Sequence, residues 1–341
     1  MLQRLSIVFR AKFFLLMLKL PGFIIRPFGF GVRQVEGQAV SDKLRWLLRL
    51  LVLEPVDTPH ESKRAIYEYL GGTSVAGKKH DVDIKDFEVP AAHPVPIRIY
   101  RPKGTQGPLP TLFWIHGGGW VLGSIASHDV FCRRLCKEAN VAVVACDYRL
   151  APEHPFPAAQ EDVTAVWNWI RTHANEQDFD PDRLSMGGDS AGGTLTAILC
   201  QQLPVAERPA FQILCYLGGD YSKSTPSREK WGKGYLLDIE LINWFFDRYC
   251  PGEDLTNPLI SPLLIPKLEN QPPAMVITAG MDPHADEGRQ FVKRFEEVGV
   301  PVDHYHVAPM IHGFIALYGA LPVADTAVGE FIQRIKGHLQ G

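Results

Sequence analysis

The sequence predicts an α/β protein with a mostly parallel central sheet, helices on both of its faces, and a helical cap. Three observations carry that expectation. The runs "TLFWIHGG" and "VAVVACDY" are almost wholly apolar, as central strands covered on both sides must be. These and later apolar runs alternate with stretches of helical periodicity, the pattern that produces parallel strands joined by helical crossovers. One strand-to-helix junction, "SMGGDSAGG" from Ser185 to Gly193, sets a serine among four glycines, where a simple turn needs only one.

The bulk composition suits a single catalytic domain carrying an insertion or cap. The 341 residues are 46% hydrophobic and 21% charged, enough to bury a large core. A net charge of −3 with mixed signs gives no support to a nucleic-acid partner, which would want a basic face. The six cysteines are scattered and form no Cys-x-x-Cys pair. They read as buried reduced thiols, so a reducing, cytoplasmic location is expected. No Asn-x-Ser/Thr acceptor occurs in the chain.

Residues 1–37 form an apolar N-terminal extension in which Arg4, Arg10, Lys12, Lys19 and Arg26 occur with no acid before Glu36. Its longest uninterrupted apolar run, Phe13 to Leu18, would span about 9 Å as a helix against roughly 30 Å of bilayer core. It therefore does not read as a transmembrane helix, and cations interrupting the apolar region make it a poor signal peptide. Two readings stand: a helix packed on the body, which is favoured, or a cationic helix of residues 1–35 lying on an anionic membrane surface.

The elements follow in order. Leu44, Leu47, Leu48 and Leu51, then Ile66 and Leu70, recur at helical spacing, and residues 38–80 are assigned to the cap. "VDIKDFEVP" and "VPIRIYRP" read as two antiparallel leading strands. Strand, helix and strand follow in "TLFWI", "HDVFCRRLCKEA" and "VAVVACDY". "AAQEDVTAVWNWIRTHA" is a helix, "RLSMGGD" a strand, and the segment after Ser190 a helix. "AFQILCYLGG" and "PAMVITAGMD" are strands, "ADEGRQFVKRFEEVG" a helix, "PVDHYHVAP" a strand, and Gly313 to Leu339 mainly helix. Residues 220–266 break this rhythm with Ser, Thr, Gly, Pro and aromatics, and "DIELINWFFDRYC" is their one clear helix. They are read as a cap insertion between the two parts, 81–219 and 267–341, of the catalytic domain.

The glycine-framed serine can then be placed. Gly188-Asp189-Ser190-Ala191-Gly192 is a G-x-S-x-G pattern, preceded by a strand and followed by a helix. A serine nucleophile at a strand's carboxyl end needs a tight turn whose flanks carry no side chains. Alone the pattern also fits a phosphate-binding or merely packed turn. A serine hydroxyl needs a base, and the base needs an orienting acid. Of twelve histidines, His312 in "PMIHGF" follows the last strand, where Gly313 frees the backbone, whereas His304 and His306 fall inside that strand. Asp282 ends a strand before Pro283, while Asp286 and Glu287 are accounted for by the positive end of the following helix. The order Ser190, Asp282, His312 and the run "HGGGW", His116 to Trp120, complete the set. Consecutive glycines let backbone N–H groups approach a developing oxyanion, and the N–H of Ala191 is a further donor.

With these residues the sequence resembles the hormone-sensitive-lipase-like α/β-hydrolases, bacterial esterase family IV, in the branch with a GDSAG elbow. The matching stretches are "HGGGW", "DYRLAPEHPFPAA", "GGDSAGG", "ITAGMDPHADEG" and "MIHGF", in family order from about Val40 onward. The resemblance implies the α/β-hydrolase fold, Ser190 as nucleophile, His312 as base and Asp282 as orienting acid. It places oxyanion donors on Gly118, Gly119 and Ala191, with His116 and Gly117 shaping the loop. It implies a carboxylesterase of short- to medium-chain esters, acting through an acyl-enzyme and needing no cofactor or metal. The departures are His284 where leucine is common, Leu217 where proline is usual, and the extension itself. They bear on substrate preference, not on the reaction. Amide or lactone hydrolysis by the same triad is the alternative, and a non-catalytic small-molecule binder is disfavoured by the presence of His312. The sequence leaves oligomeric state open, a homodimer included.

Overall fold

The computed structural model describes residues 20, 22–51, 56–72, 77–266 and 268–340. The chain enters through a short helix α1 (Gly22–Ile25), a hairpin β1 (Gln34–Val35) and β2 (Gln38–Ala39), then α2 (Asp42–Leu51) and α3 (His60–Gly72). The leading strands β3 (Asp83–Val89) and β4 (Val95–Arg101) follow, then β5 (Leu109–Ile115), α4 (Ile125–Ala139), β6 (Ala142–Cys146), α5 (Ala158–Thr172), β7 (Phe179–Asp189) and α6 (Ala191–Gln202). The remaining elements are β8 (Phe211–Cys215), α7 (Pro226–Trp231), α8 (Ile239–Tyr249), β9 (Ala274–Met281), α9 (Ala285–Glu297), β10 (Val302–Ile311) and α10 (Pro322–Gln340).

Eight strands form one sheet in the order β10-β9-β8-β7-β5-β6-β4-β3. The pairs β3–β4 and β4–β6 are antiparallel and the others parallel, as expected from the two leading strands. Both faces are covered, which is why β5 and β6 are fully buried and carry no polar alternation. Along β5, Leu112 and Trp114 join one core cluster and Phe113 and Ile115 the other, because successive side chains point to opposite faces. Phe131 of α4 and Phe331 of α10 pack on Trp114 with ring centroids 5.0 and 6.1 Å away. Val163 and Trp167 of α5 and Leu195 of α6 fill the opposite side. Helix α4 begins where Ser124 and Ser127 form a reciprocal capping box, and it ends at Asn140 in a left-handed conformation.

Two local features differ from the sequence reading. Residues 220–266 contain a second helix, α7, whose six residues are too few to display a helical period. Thr225 caps it and Pro226 opens it. The hairpin β1–β2 also went unread, because two-residue strands leave no alternation to detect. Within residues 22–37, Ile25 and Val35 are buried in the main core cluster while Phe28 stays exposed. The proposed membrane-facing helix falls largely on residues 1–19, outside the described residues. No helix among the described residues is long and apolar enough to cross a membrane.

Candidate active site

The carboxyl ends of β7, β9 and β10 bring three distant side chains together. β7 ends at Asp189 and α6 begins at Ala191, leaving Ser190 alone between them at φ 54°, ψ −120°. That left-handed backbone is unfavourable for a serine and is held by its surroundings. Its N–H donates to the Cys215 carbonyl at 2.8 Å, and its own carbonyl accepts the Thr194 N–H at 3.0 Å. A β-carbon on Gly192 or on Gly188 would fall on the Ile115 carbonyl oxygen. The strand-to-helix crossing is therefore closed to a side chain two residues before or two residues after the serine.

His312 follows β10 directly, and Gly313 turns the chain at φ 72°. The Ser190 hydroxyl donates to His312 Nε2 at 2.7 Å, and His312 Nδ1–H donates to Asp282 Oδ2 at 2.9 Å. Asp282, one residue past β9, is 0% exposed, and its Oδ1 accepts the backbone N–H of His284 at 2.8 Å. The carboxylate is thus held from two sides. It fixes the imidazole with its proton on Nδ1, so that Nε2 faces the hydroxyl as a base.

The run His116–Trp120 forms a loop beside the serine. Gly118, Gly119 and Trp120 have φ of 117°, 61° and 59°, a path that non-glycine residues follow only under strain. The Gly118 carbonyl is turned away, accepting the N–H groups of Val121 at 3.2 Å and Leu122 at 2.8 Å. Gly119 and Ala191 line the same small pocket as Ser190. As the first residue of α6, Ala191 has an N–H with no intrahelical acceptor. His116 lies behind the loop, its ring stacked 4.2 Å from Tyr148, whose hydroxyl donates to the His116 carbonyl at 2.9 Å. Its Nδ1–H donates to the Gly117 carbonyl at 2.8 Å, and burial, then the neighbouring His128, pushes its pKa down to about 3. His116 is therefore a neutral brace, not a base.

Two buried groups were missed from sequence. Asp189 Oδ1 accepts the Gly117 N–H at 3.1 Å and lies 3.2 Å from His128 Nε2. Burial alone would raise this carboxyl, but His128 and the Gly117 N–H together hold it below its ordinary value. The elbow's acid thus ties the glycine loop to the nucleophile's own turn. Nothing marks His128 locally, since it sits in the first turn of an ordinary helix. Glu287 is fully buried instead of simply facing a helix end. Its Oε1 accepts N–H groups from Gly219 at 3.0 Å and Asp220 at 2.7 Å, and pairs with Arg228 at 2.9 Å. These three partners lie 59 to 68 positions away in the sequence, so no local pattern could reveal that role.

The pocket at Ser190 is walled by Trp120, Tyr221, Leu237, Ile242, Phe245 and Phe246, with free space of about 30 Å³. Helix α8 supplies three of those side chains, and Trp120 stacks flat on its Tyr249 at 4.4 Å. Among the described residues, no group of three or more His, Cys, Asp and Glu could hold a metal ion. A serine hydroxyl, an imidazole and a carboxylate in one hydrogen-bonded line, beside the backbone of Gly119 and Ala191, are the arrangement that acyl transfer requires.

The α/β hydrolase fold family model matches residues 112–316. Carboxylic ester hydrolase LipN of Mycobacterium tuberculosis is 38% identical over 81% of this chain and 74% of its own. Ethyl acetate hydrolase of Pseudomonas putida is 34% identical over 78% of this chain and 86% of its own. Among solved structures, the hyperthermophilic esterase of the archaeon Pyrobaculum calidifontis superposes with a TM-score of 0.82 at 32% identity, covering 88% of this chain and 99% of that one.

Proposed function

This chain belongs to the α/β-hydrolases, in their hormone-sensitive-lipase-like branch, and we propose on that premise that it is a serine carboxylesterase of short- to medium-chain esters. One observation carries the reading: Ser190, His312 and Asp282 lie in a continuous line of hydrogen bonds of 2.7 and 2.9 Å. Ser190 Oγ attacks the ester carbonyl while its proton passes to His312 Nε2. The N–H groups of Gly118, Gly119 and Ala191 receive the oxyanion of the tetrahedral intermediate. Its collapse forms the acyl-enzyme, and the His312 proton leaves with the alcohol. Water, deprotonated by the same imidazole, then attacks the acyl-enzyme and releases the acid, restoring Ser190.

The amide- or lactone-cleaving alternative is not favoured, since the relatives carry esterase names. Residues 38–80 and 220–266 are proposed as the cap and 81–219 with 267–341 as the catalytic domain. Support comes from α8 roofing the Ser190 pocket. A cytoplasmic location is supported by six free, buried cysteines, and the mixed surface charge supports no nucleic-acid partner. Contact of residues 1–35 with an anionic membrane is tested by liposome co-sedimentation of the full chain against one lacking them. A homodimer is tested by light scattering.

Ser190→Ala is expected to abolish hydrolysis of p-nitrophenyl butyrate and labelling by a fluorophosphonate while the melting temperature holds. Turnover at the wild-type rate in that variant rejects the assignment.

A further inference from the structure

The pocket beside Ser190 contains an imidazole that the reaction does not use. His284 is 5% exposed and lines that pocket together with Ile242 and Phe246. Its ring stands edge-on to the base His312, with centroids 5.6 Å apart, and edge-on to Tyr221 at 5.7 Å. Its Nδ1–H donates to Glu287 Oε2 at 2.7 Å. The other Glu287 oxygen is saturated by two backbone N–H groups and the Arg228 guanidinium, so the carboxylate serves as acceptor throughout. With Nδ1–H turned to Glu287, the neutral His284 ring has its open lone pair at Nε2. Among the described residues, Nε2 has no hydrogen-bond partner.

In the free enzyme Nε2 keeps contact with water, and an apolar substrate group that covers it leaves it unpaired, which is costly unless the substrate supplies a donor. A plain alkyl chain lying between Phe246 and His284 displaces water from Nε2 and returns nothing to it. A chain bearing a hydroxyl restores the bond. The rest of the wall is mostly aliphatic and aromatic; Tyr221 has its hydroxyl 3.3 Å from Thr194 Oγ1, and the buried Trp120 Nε1–H, unpartnered among the described residues, is a donor that offers no acceptor. Leucine, common at this position in the resembling family, would provide no acceptor here.

We propose that His284 is a specificity-determining residue that accepts a hydrogen bond from a hydroxyl on the substrate, so that the enzyme favours hydroxylated esters over their alkyl counterparts. The proposal rests on the esterase reading above. The hydroxyl can belong to the acid or to the alcohol half of the ester, and the two halves are tested separately.

The measurement is the ratio of kcat/KM for matched esters: methyl 3-hydroxybutyrate over methyl butyrate for the acid half, and 2-hydroxyethyl butyrate over propyl butyrate for the alcohol half. A ratio within one variant cancels differences in folded or active fraction. Wild-type enzyme is expected to favour the hydroxylated ester about tenfold in one of the two arms, the factor of a single uncharged hydrogen bond. Two variants separate a substrate contact from a structural role. H284N keeps a polar atom near Glu287 but removes the ring's far nitrogen, and its ratio is expected to fall to about one. H284Q places an amide near the position of Nε2 and is expected to keep most of the preference. A ratio near one in the wild type in both arms, or an unchanged ratio in H284N, overturns the proposal while leaving the esterase reading intact. Failure of the wild type to hydrolyse any of the four esters, with Ser190 unlabelled by a fluorophosphonate, removes both.

Discussion

Consider Asp282→Asn, which keeps the shape of the acid and removes its charge. The wild-type carboxylate accepts two bonds, the His284 N–H on Oδ1 at 2.8 Å and the His312 Nδ1–H on Oδ2 at 2.9 Å. An asparagine has one acceptor and must present its amide N–H₂ to the other partner. Facing the His284 N–H with an N–H₂ leaves two buried donors opposed, at about 1–3 kcal/mol, and the backbone cannot turn its proton away. The imidazole can, by moving its proton from Nδ1 to Nε2. The amide therefore turns its N–H₂ to His312, and Nε2, 2.7 Å from the Ser190 hydroxyl, is protonated and unable to accept the serine proton. A triad in the wrong tautomer loses about 10⁴ in kcat, or roughly 5.5 kcal/mol of transition-state stabilisation. Steady-state hydrolysis of p-nitrophenyl butyrate, with active sites counted on the folded fraction, measures it. A kcat within tenfold of wild type would show that the Asp282 contact is not what orients His312.

Gly119→Ala adds a β-carbon that would meet the Phe245 ring at a residue whose φ is 61°. The displaced amide is expected to lower kcat about 100-fold, in the range of a lost oxyanion donor. A kcat within twofold of wild type, read with the same ester, counts against Gly119 as a donor. Burial holds His116 neutral, with its pKa moved from 6.5 to about 3, so the unfolded chain binds more protons than the native one between those values. Its contribution is complete above pH 6.5 and is lost as the pH falls toward 3. His116→Gln, which retains a side-chain N–H donor, is expected to flatten the decline of melting temperature with pH over that window. An unchanged slope refutes the neutral-brace account.

The parts of this site that were legible in sequence are those whose chemistry constrains neighbouring residues. Gly188 and Gly192 must be glycines because of the Ile115 carbonyl, so they mark Ser190 directly. His312 and Asp282 each directly follow a strand, and a strand's hydrophobic run announces its own end. The parts that escaped notice are defined by contacts across the fold. Glu287 has the local signature of a helix-end acid, and only the arrival of Gly219, Asp220 and Arg228 from a distant segment gives it another role. His128 reaches Asp189 across 61 positions and leaves no periodic trace. Helix α7 and the β1–β2 hairpin span fewer than two periods of the patterns that reveal such elements, so nothing repeats.

The cramped space over the nucleophile, about 30 Å³, is far below the roughly 300 Å³ of even a modest small-molecule cavity. A guest larger than that space is accommodated only if the wall yields, and Phe245 and Phe246, adjacent on α8, are the part of the wall over which it must yield. Selection by size then resembles the compression of a spring more than the reading of a ruler. Such a doorway makes turnover sensitive to temperature and solvent viscosity even where the bond-breaking chemistry is unaltered.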